Sequence, residues 1–179
     1  MKRSLFNAIF VVTASIFGLA SAARAEEPRK IAFVDTGNTG RSVSAEALAN
    51  LIIKQKGLKI AVISRAVDMD PFDVSPEANA VKLLRDRNID VSNHLSVQLT
   101  AGDIKHADLI LTMSAKHKDK VLALYPEAKD KLHTLSEYAT GTYTEVVDAW
   151  GKPMDAYLAV FKQLDAFVPA ALEKSNPPK

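Results

Sequence analysis

The stretch of this chain best equipped for chemistry is Asp35-Thr36-Gly37-Asn38-Thr39-Gly40-Arg41-Ser42. Two glycines around a turn-prone asparagine make a loop. The apolar run Ile31 to Val34 ahead of it reads as a strand, and the good helix formers from Ala45 to Leu48 read as a helix. A glycine-bearing loop that runs into a helix presents several backbone N–H groups and the positive end of the helix dipole. Arg41 adds a planar fork that suits a tetrahedral oxyanion. The spacing therefore predicts a phosphate cradle built from Thr36, Gly37, Asn38, Thr39, Gly40, Arg41 and Ser42. Two roles are open to Asp35 at its base. As a nucleophile it would form an acyl phosphate. As an internal anion it would accept the loop's own N–H bonds and pair with Arg41, filling the cradle with its own carboxylate.

Other residues with chemical potential carry less. Asp35-Thr36-Gly37 spells the triplet of aspartic proteases, but those need two copies, and here one copy runs straight into a helix. Asp68, Asp70 and Asp73 lack the 12-residue pattern of a calcium loop and read as a solvated loop. His94, His106, His117 and His133 show no metal-ligand spacing, so no metal or other cofactor is expected. His94 is read as a support of the cradle, the other three as surface or packing residues. The chain has no cysteine, which removes thiol chemistry and disulfides together.

The elements that must position the loop follow from the pattern on either side. A helix is predicted from about Ser42, as its cap, to Gln55, with Ala45, Leu48, Ala49, Ile52 and Ile53 on one face and Gly57 ending it. Lys59 to Ser64 is a second strand. Ser75 and Pro76 predict a helix start, running to about Arg87, with Asn88-Ile89-Asp90 breaking it. Leu109 to Met113 is a nearly all-apolar third strand, as a buried parallel strand should be. A helix over Ala115 to Leu124, a fourth strand over Lys131 to Leu135, a long loop from Ser136 to Lys152 and a last helix from Pro153 to about Lys174 complete the chain. Strand and helix alternate, which predicts an α/β domain: a four-stranded parallel sheet, in order 2-1-3-4, with helices on both faces.

Residues 1–25 stand apart from that domain. Lys2 and Arg3 precede an apolar run from Leu5 to Ala20, and Ala23-Arg24-Ala25 is a small-x-small cleavage site. This predicts a signal peptide cut before Glu26, a mature domain over 26–179, and a periplasmic or secreted protein with no membrane anchor left after cleavage. The apolar run is shorter than the roughly 20 residues a span needs. The whole chain has 23 basic and 21 acidic residues. Losing Lys2, Arg3 and Arg24 leaves 20 against 21, a net charge of −1. No basic stripe for nucleic acid remains. With 47% hydrophobic residues the composition is that of an ordinary globular domain.

The loop, with Phe33-Val34 before it and Ala45-Glu46-Ala47-Leu48 after it, resembles the signature of the low-molecular-weight protein tyrosine phosphatases, V-C-x-G-N-x-C-R-S-P-x-A-E. The likeness continues through Ser64-Arg65-Ala66, Leu83-Leu84, Asn88-Ile89-Asp90, His94 with Gln98-Leu99-Thr100, Ala107 to Met113 with His117, and Val147-Asp148-Ala149-Trp150-Gly151. It covers nearly all of the mature chain. The resemblance implies the phosphotyrosine protein phosphatase I-like fold. It also implies a general acid at Asp148, which would protonate the leaving oxygen, and an aromatic cleft wall at Trp150. Asp35 stands at the position of the family's nucleophilic cysteine, Gly40 where many members have a second cysteine, Val43 where many have proline, and Ala149 in place of a proline. Arginine, loop amides, acid and aromatic are thus kept in type, and the nucleophile is changed.

Two functions of different class follow. The first is an exported phosphatase-like binding protein, catalytically impaired, that recognises phosphate, a phosphoester or a phosphoprotein. The second is an active phosphomonoester or phosphotyrosine hydrolase in which Asp35 attacks, or Arg41 and Asp148 activate water.

Overall fold

The computed structural model describes residues 27–176, so the predicted signal peptide lies outside the described residues. Four parallel strands form one sheet: β1 (Arg29–Asp35), β2 (Ile60–Ala66), β3 (Leu109–Thr112) and β4 (Leu132–Thr134), in the order β2-β1-β3-β4. All three pairings are parallel, as the alternation of strand and helix predicts. In β1, Ile31 and Phe33 point to one face of the sheet and Ala32 and Val34 to the other, the period-2 rule of a pleated strand. On the first face they pack with α1 (Arg41–Lys56), α2 (Ala78–Arg85), α5 (Leu135–Thr140) and α6 (Met154–Ser175). On the second they pack with α3 (Ala101–His106) and α4 (Ala115–Leu124). The first layer is the larger and holds Phe33 and Phe161, both fully buried. Each such side chain contributes about 1.5–3 kcal/mol, so this face supplies most of the apolar stabilisation.

Gly57 ends α1 in the left-handed conformation, with φ 61°, and donates its N–H to the Ile53 carbonyl. A glycine tolerates this at no steric cost. Asn88, at φ 60°, takes the chain out of the turn after α2.

Three local expectations change. Ser42 is not the cap of α1; Gly40 holds that place, and Ser42 lies inside the helix. The helix after Ser75-Pro76 starts later, at Ala78, because Glu77 is held elsewhere: its N–H donates to the Thr39 carbonyl at 2.9 Å. The region from Ser136 to Lys152 is not all loop, and a further short helix precedes β3. Both short helices are nucleated by threonine caps, Thr134 for α5 and Thr100 with Asp103 in a reciprocal capping box for α3.

The Asp35 loop leaves β1 at its carboxyl end. β1 pairs with β2 on one side and β3 on the other, so the chain's crossovers diverge there. That is the switch point at which open α/β sheets form a crevice.

Candidate functional site

Asp35 closes β1 with its side chain turned up into the loop, only 3% exposed. One carboxylate oxygen accepts the Asn38 N–H at 2.6 Å and the other the Ser42 N–H at 2.8 Å. Of the two roles open to Asp35, this is the geometry of the internal anion. A buried carboxylate needs such donors, and here they are the amides of the cradle itself, the second lying in the first turn of α1. The expected pairing with Arg41 is not what the guanidinium does. Arg41 bonds the Val146 carbonyl at 3.3 Å and forms an ion pair with Asp148 at 3.2 Å.

The loop is held from beneath by Asn38, which is fully buried at φ 57°. Asparagine tolerates this left-handed conformation better than most residues. Its amide nitrogen donates to the Ser42 hydroxyl at 2.9 Å, and its amide oxygen accepts the Val97 N–H at 3.1 Å. His94 Nε2 donates to the Asn38 backbone carbonyl at 3.1 Å, and the Ser96 hydroxyl donates to the same oxygen at 3.2 Å. His94 is therefore a support of the cradle, as its position in the sequence suggests.

His117 is more than a packing residue. Its Nε2 lies 2.8 Å from the Thr36 hydroxyl, and its Nδ1 is buried without a partner. Burial, and then the charge of Arg41, push its pKa down from 6.5 to about 4. The ring is neutral at pH 7.

Glu77 is a residue with no local sequence signal. The Thr39 hydroxyl donates to it at 3.3 Å, and the Tyr157 hydroxyl donates to its other oxygen. Burial holds its carboxyl above the ordinary value, against the effect of these two bonds, and the charges of Asp35 and Asp148 add to the rise. Its carboxylate occupies the space into which a side chain at position 40 would project, so a Cβ there would collide with it. A side chain at position 40 would have to displace that carboxylate from the Thr39 and Tyr157 hydroxyls.

A cleft of about 300 Å³ opens above the loop. Asp35, Thr36, Gly37, Thr39, Arg41, Asp148 and Trp150 line it. Asn38 and Ser42 do not; they are buried beneath as the loop's scaffold. Gly40 faces the smaller adjoining hollow beside Glu77 and Tyr157. Asp148 and Trp150 form one wall, with the Trp150 N–H donating to Asp148 at 3.2 Å. The opposite wall is the loop of Asp68, Asp70 and Asp73, which reads from sequence as merely solvated. Asp73 accepts the indole N–H of Trp150 at 3.1 Å, joining the two walls across the mouth. Asp68 is neutralised by Lys120 at 2.5 Å. Among the described residues, no group of three or more His, Asp and Glu side chains is placed to hold a metal ion.

Comparison with known proteins agrees with this architecture. Residues 30–175 match the family model described as low molecular weight phosphotyrosine protein phosphatase. The chain is 37% identical over 135 residues to a protein-arginine-phosphatase of Bacillus subtilis, covering 75% of this chain and 89% of that one. It is 32% identical over 136 residues to the low molecular weight protein-tyrosine-phosphatase PtpB of Staphylococcus haemolyticus, covering 75% of this chain and 91% of that one. Among solved structures, a YwlE mutant from Bacillus subtilis superposes with a TM-score of 0.77 at 34% identity, covering 81% of this chain and 97% of that one. A low molecular weight protein tyrosine phosphatase from T. tengcongensis gives 0.76 at 32% identity, over 82% of this chain and 99% of that one.

Proposed function

This chain belongs to the low molecular weight phosphotyrosine protein phosphatase family, and on that premise we propose that it is an exported, catalytically impaired member whose cleft binds rather than hydrolyses. The observation that carries this reading is the pair of bonds from the Asn38 and Ser42 amides to the two oxygens of Asp35. Two amides of the loop are thereby committed to the protein's own carboxylate, which stands at the base of the cradle. An incoming anion would also meet repulsion of about 4 kcal/mol per unit charge at ~4 Å and an effective dielectric near 20. Arg41, the group able to offset that charge, is engaged by Asp148.

Attack by Asp35 is opposed by the same bonds. A carboxylate whose two oxygens both accept hydrogen bonds is a weaker nucleophile, and these bonds fix its orientation. The remaining groups are kept: Arg41 and Asp148 share the cleft with Asp35, and Trp150 lines its mouth. The relatives' names place phosphorylated arginine and tyrosine side chains among the ligands worth testing. Export rests on the A-x-A site ahead of Glu26 and suits a chain without cysteine, since an oxidising compartment penalises a reactive thiolate. N-terminal sequencing of the mature protein should begin at Glu26.

The decisive experiment is turnover of an aryl phosphate. The mature protein should be inactive, with or without Mg²⁺. Asp35→Cys should gain hydrolysis that disappears in the Arg41→Ala and Asp148→Asn backgrounds, because a low-pKa thiolate at a helix N-terminus supplies the missing step. Good turnover by the unmodified protein, abolished in Asp35→Asn, would instead establish an aspartyl-phosphate hydrolase.

A further inference from the structure

Three buried polar side-chain atoms have no hydrogen-bond partner among the described residues: Arg29 Nε, Ser44 Oγ and His117 Nδ1. Ser44 lies in the first turn of α1 and is only 1% exposed. A buried serine on a helix has a usual outlet, a bond from its hydroxyl to the carbonyl four residues earlier. Here that carbonyl, of Gly40, accepts the Ser44 N–H at 3.0 Å, and the hydroxyl does not join it. The side chain instead lines the small hollow that Gly40 faces. The hollow measures about 10 Å³, room for one water and no larger guest. Val160 and Phe161 close it from α6, but it is not the all-apolar kind of cavity that stays dry. Arg41, Glu77, Asp148 and Tyr157 share its walls with Ser44, and a buried water needs about two to four polar partners. Each Glu77 oxygen accepts one hydroxyl, from Thr39 or Tyr157, and keeps a further lone pair.

We propose that this hollow is a binding site for a single structural water, anchored by the Ser44 hydroxyl and shared with Glu77 and Arg41. The proposal goes beyond the reading of the cleft and stands whether or not the cleft hydrolyses. A buried hydroxyl without a partner costs free energy, whereas a bridging water is nearly as good as a direct bond and costs little entropy. With the water in place, the first turn of α1 is joined to Glu77. Through Glu77 it is joined to Tyr157 on α6 and to Thr39 in the loop. Arg41 and Asp148 line both this hollow and the cleft, so the water adjoins the ion pair that faces the cleft. A metal ion does not suit the place. The Arg41 guanidinium stands on the same wall, and among the described residues no three His, Asp and Glu side chains are placed to hold one.

Crystal structures of the mature protein and of Ser44→Ala, at a resolution that shows ordered water, test this together with urea unfolding of both. One density peak in the hollow is expected, within about 3 Å of Ser44 Oγ and of a polar atom of Glu77 or Arg41. In Ser44→Ala that peak should be lost or fall to half its occupancy or less. The unfolding equilibria supply an independent sign. If a water satisfies the hydroxyl, Ser44→Ala removes a good hydrogen bond. The folding equilibrium constant should then fall at least twofold, although alanine is the better helix former. If the hydroxyl has no partner at all, the same substitution relieves a penalty, and the constant should stay or rise. Four results overturn the proposal: an empty hollow, a Ser44 hydroxyl bonded to the Gly40 carbonyl, a water that keeps more than half its occupancy in Ser44→Ala, or a constant that falls less than twofold.

Discussion

The floor and the rim of the cleft are built on opposite terms. On the floor, Asp35, Asn38 and Ser42 are buried, and their polar groups are satisfied by one another and by His94, Ser96 and Val97. On the rim, Asp148 is half exposed and Trp150 more so, and Phe72, in the loop that carries Asp70 and Asp73, is 95% exposed. The floor has turned its binding groups inward and become part of the scaffold. The rim groups face the cleft and solvent, held by single contacts such as Arg41 to Asp148 and Trp150 to Asp73. The difference separates what this molecule inherits as architecture from what remains for a ligand to meet, and substitutions should divide along the same line.

The largest effect is expected on the floor. Asn38→Leu removes the side-chain bonds to Ser42 and Val97 and places a branched residue at φ 57°. Polar groups left unsatisfied, here the Ser42 hydroxyl and the Val97 N–H, cost about 1–3 kcal/mol each, and the backbone strain adds about 1 more. A loss of roughly 4 kcal/mol in urea unfolding should follow. A loss under about 1 kcal/mol would show that the floor is not the scaffold described here.

Next comes His117, under the loop. Its folded pKa of about 4 lies below the ordinary 6.5, so between these values the unfolded chain binds the extra proton. Stability therefore rises with pH across that window, is fully present above 6.5, and is lost as pH falls towards 4. At 1.36 kcal/mol per pH unit the full effect is about 3 kcal/mol. Glu77 acts with the opposite sign, since its carboxyl is held above the ordinary 4.5: its share is present at low pH and lost as pH rises through the folded value. The acid limb of the wild-type stability profile should be visibly steeper than that of His117→Gln, which isolates the histidine.

The smallest effect belongs to the rim. Phe72→Ala and Trp150→Ala should each shift unfolding by no more than about 0.5 kcal/mol, as exposed substitutions do. A larger loss at either position would move it from the rim to the scaffold and erase the contrast.

How far the sequence reveals this depends on whether the cause is local. The strand over Ile31 to Val34, the glycine loop and the Gly57 stop are local, and the parallel order 2-1-3-4 follows from the alternation they belong to. Thr100 with Asp103 is a local signal too, a capping box legible before Ile104 and ahead of a helix only six residues long. The start of α2 is not local. Ser75-Pro76 satisfies every rule for a helix start, but Glu77 is drawn to Thr39 and Tyr157, the latter 80 residues away. The acid wall was legible as composition and not as a wall, because only the fold sets Asp73 against Trp150. The choice of Arg41 between Asp35 and Asp148 was likewise a matter of tertiary geometry.

The meeting of Gly40 and Glu77 ties the loop to a distant helix. With the carboxylate of Glu77 filling the space beside position 40, any larger residue there is opposed until Glu77 moves or changes. Glu77 is in turn anchored by Tyr157 on another helix. The two positions are therefore coupled through space, although they lie 37 positions apart in the chain. A side chain introduced at position 40 should therefore be tolerated better beside a shorter residue at 77 than beside Glu77.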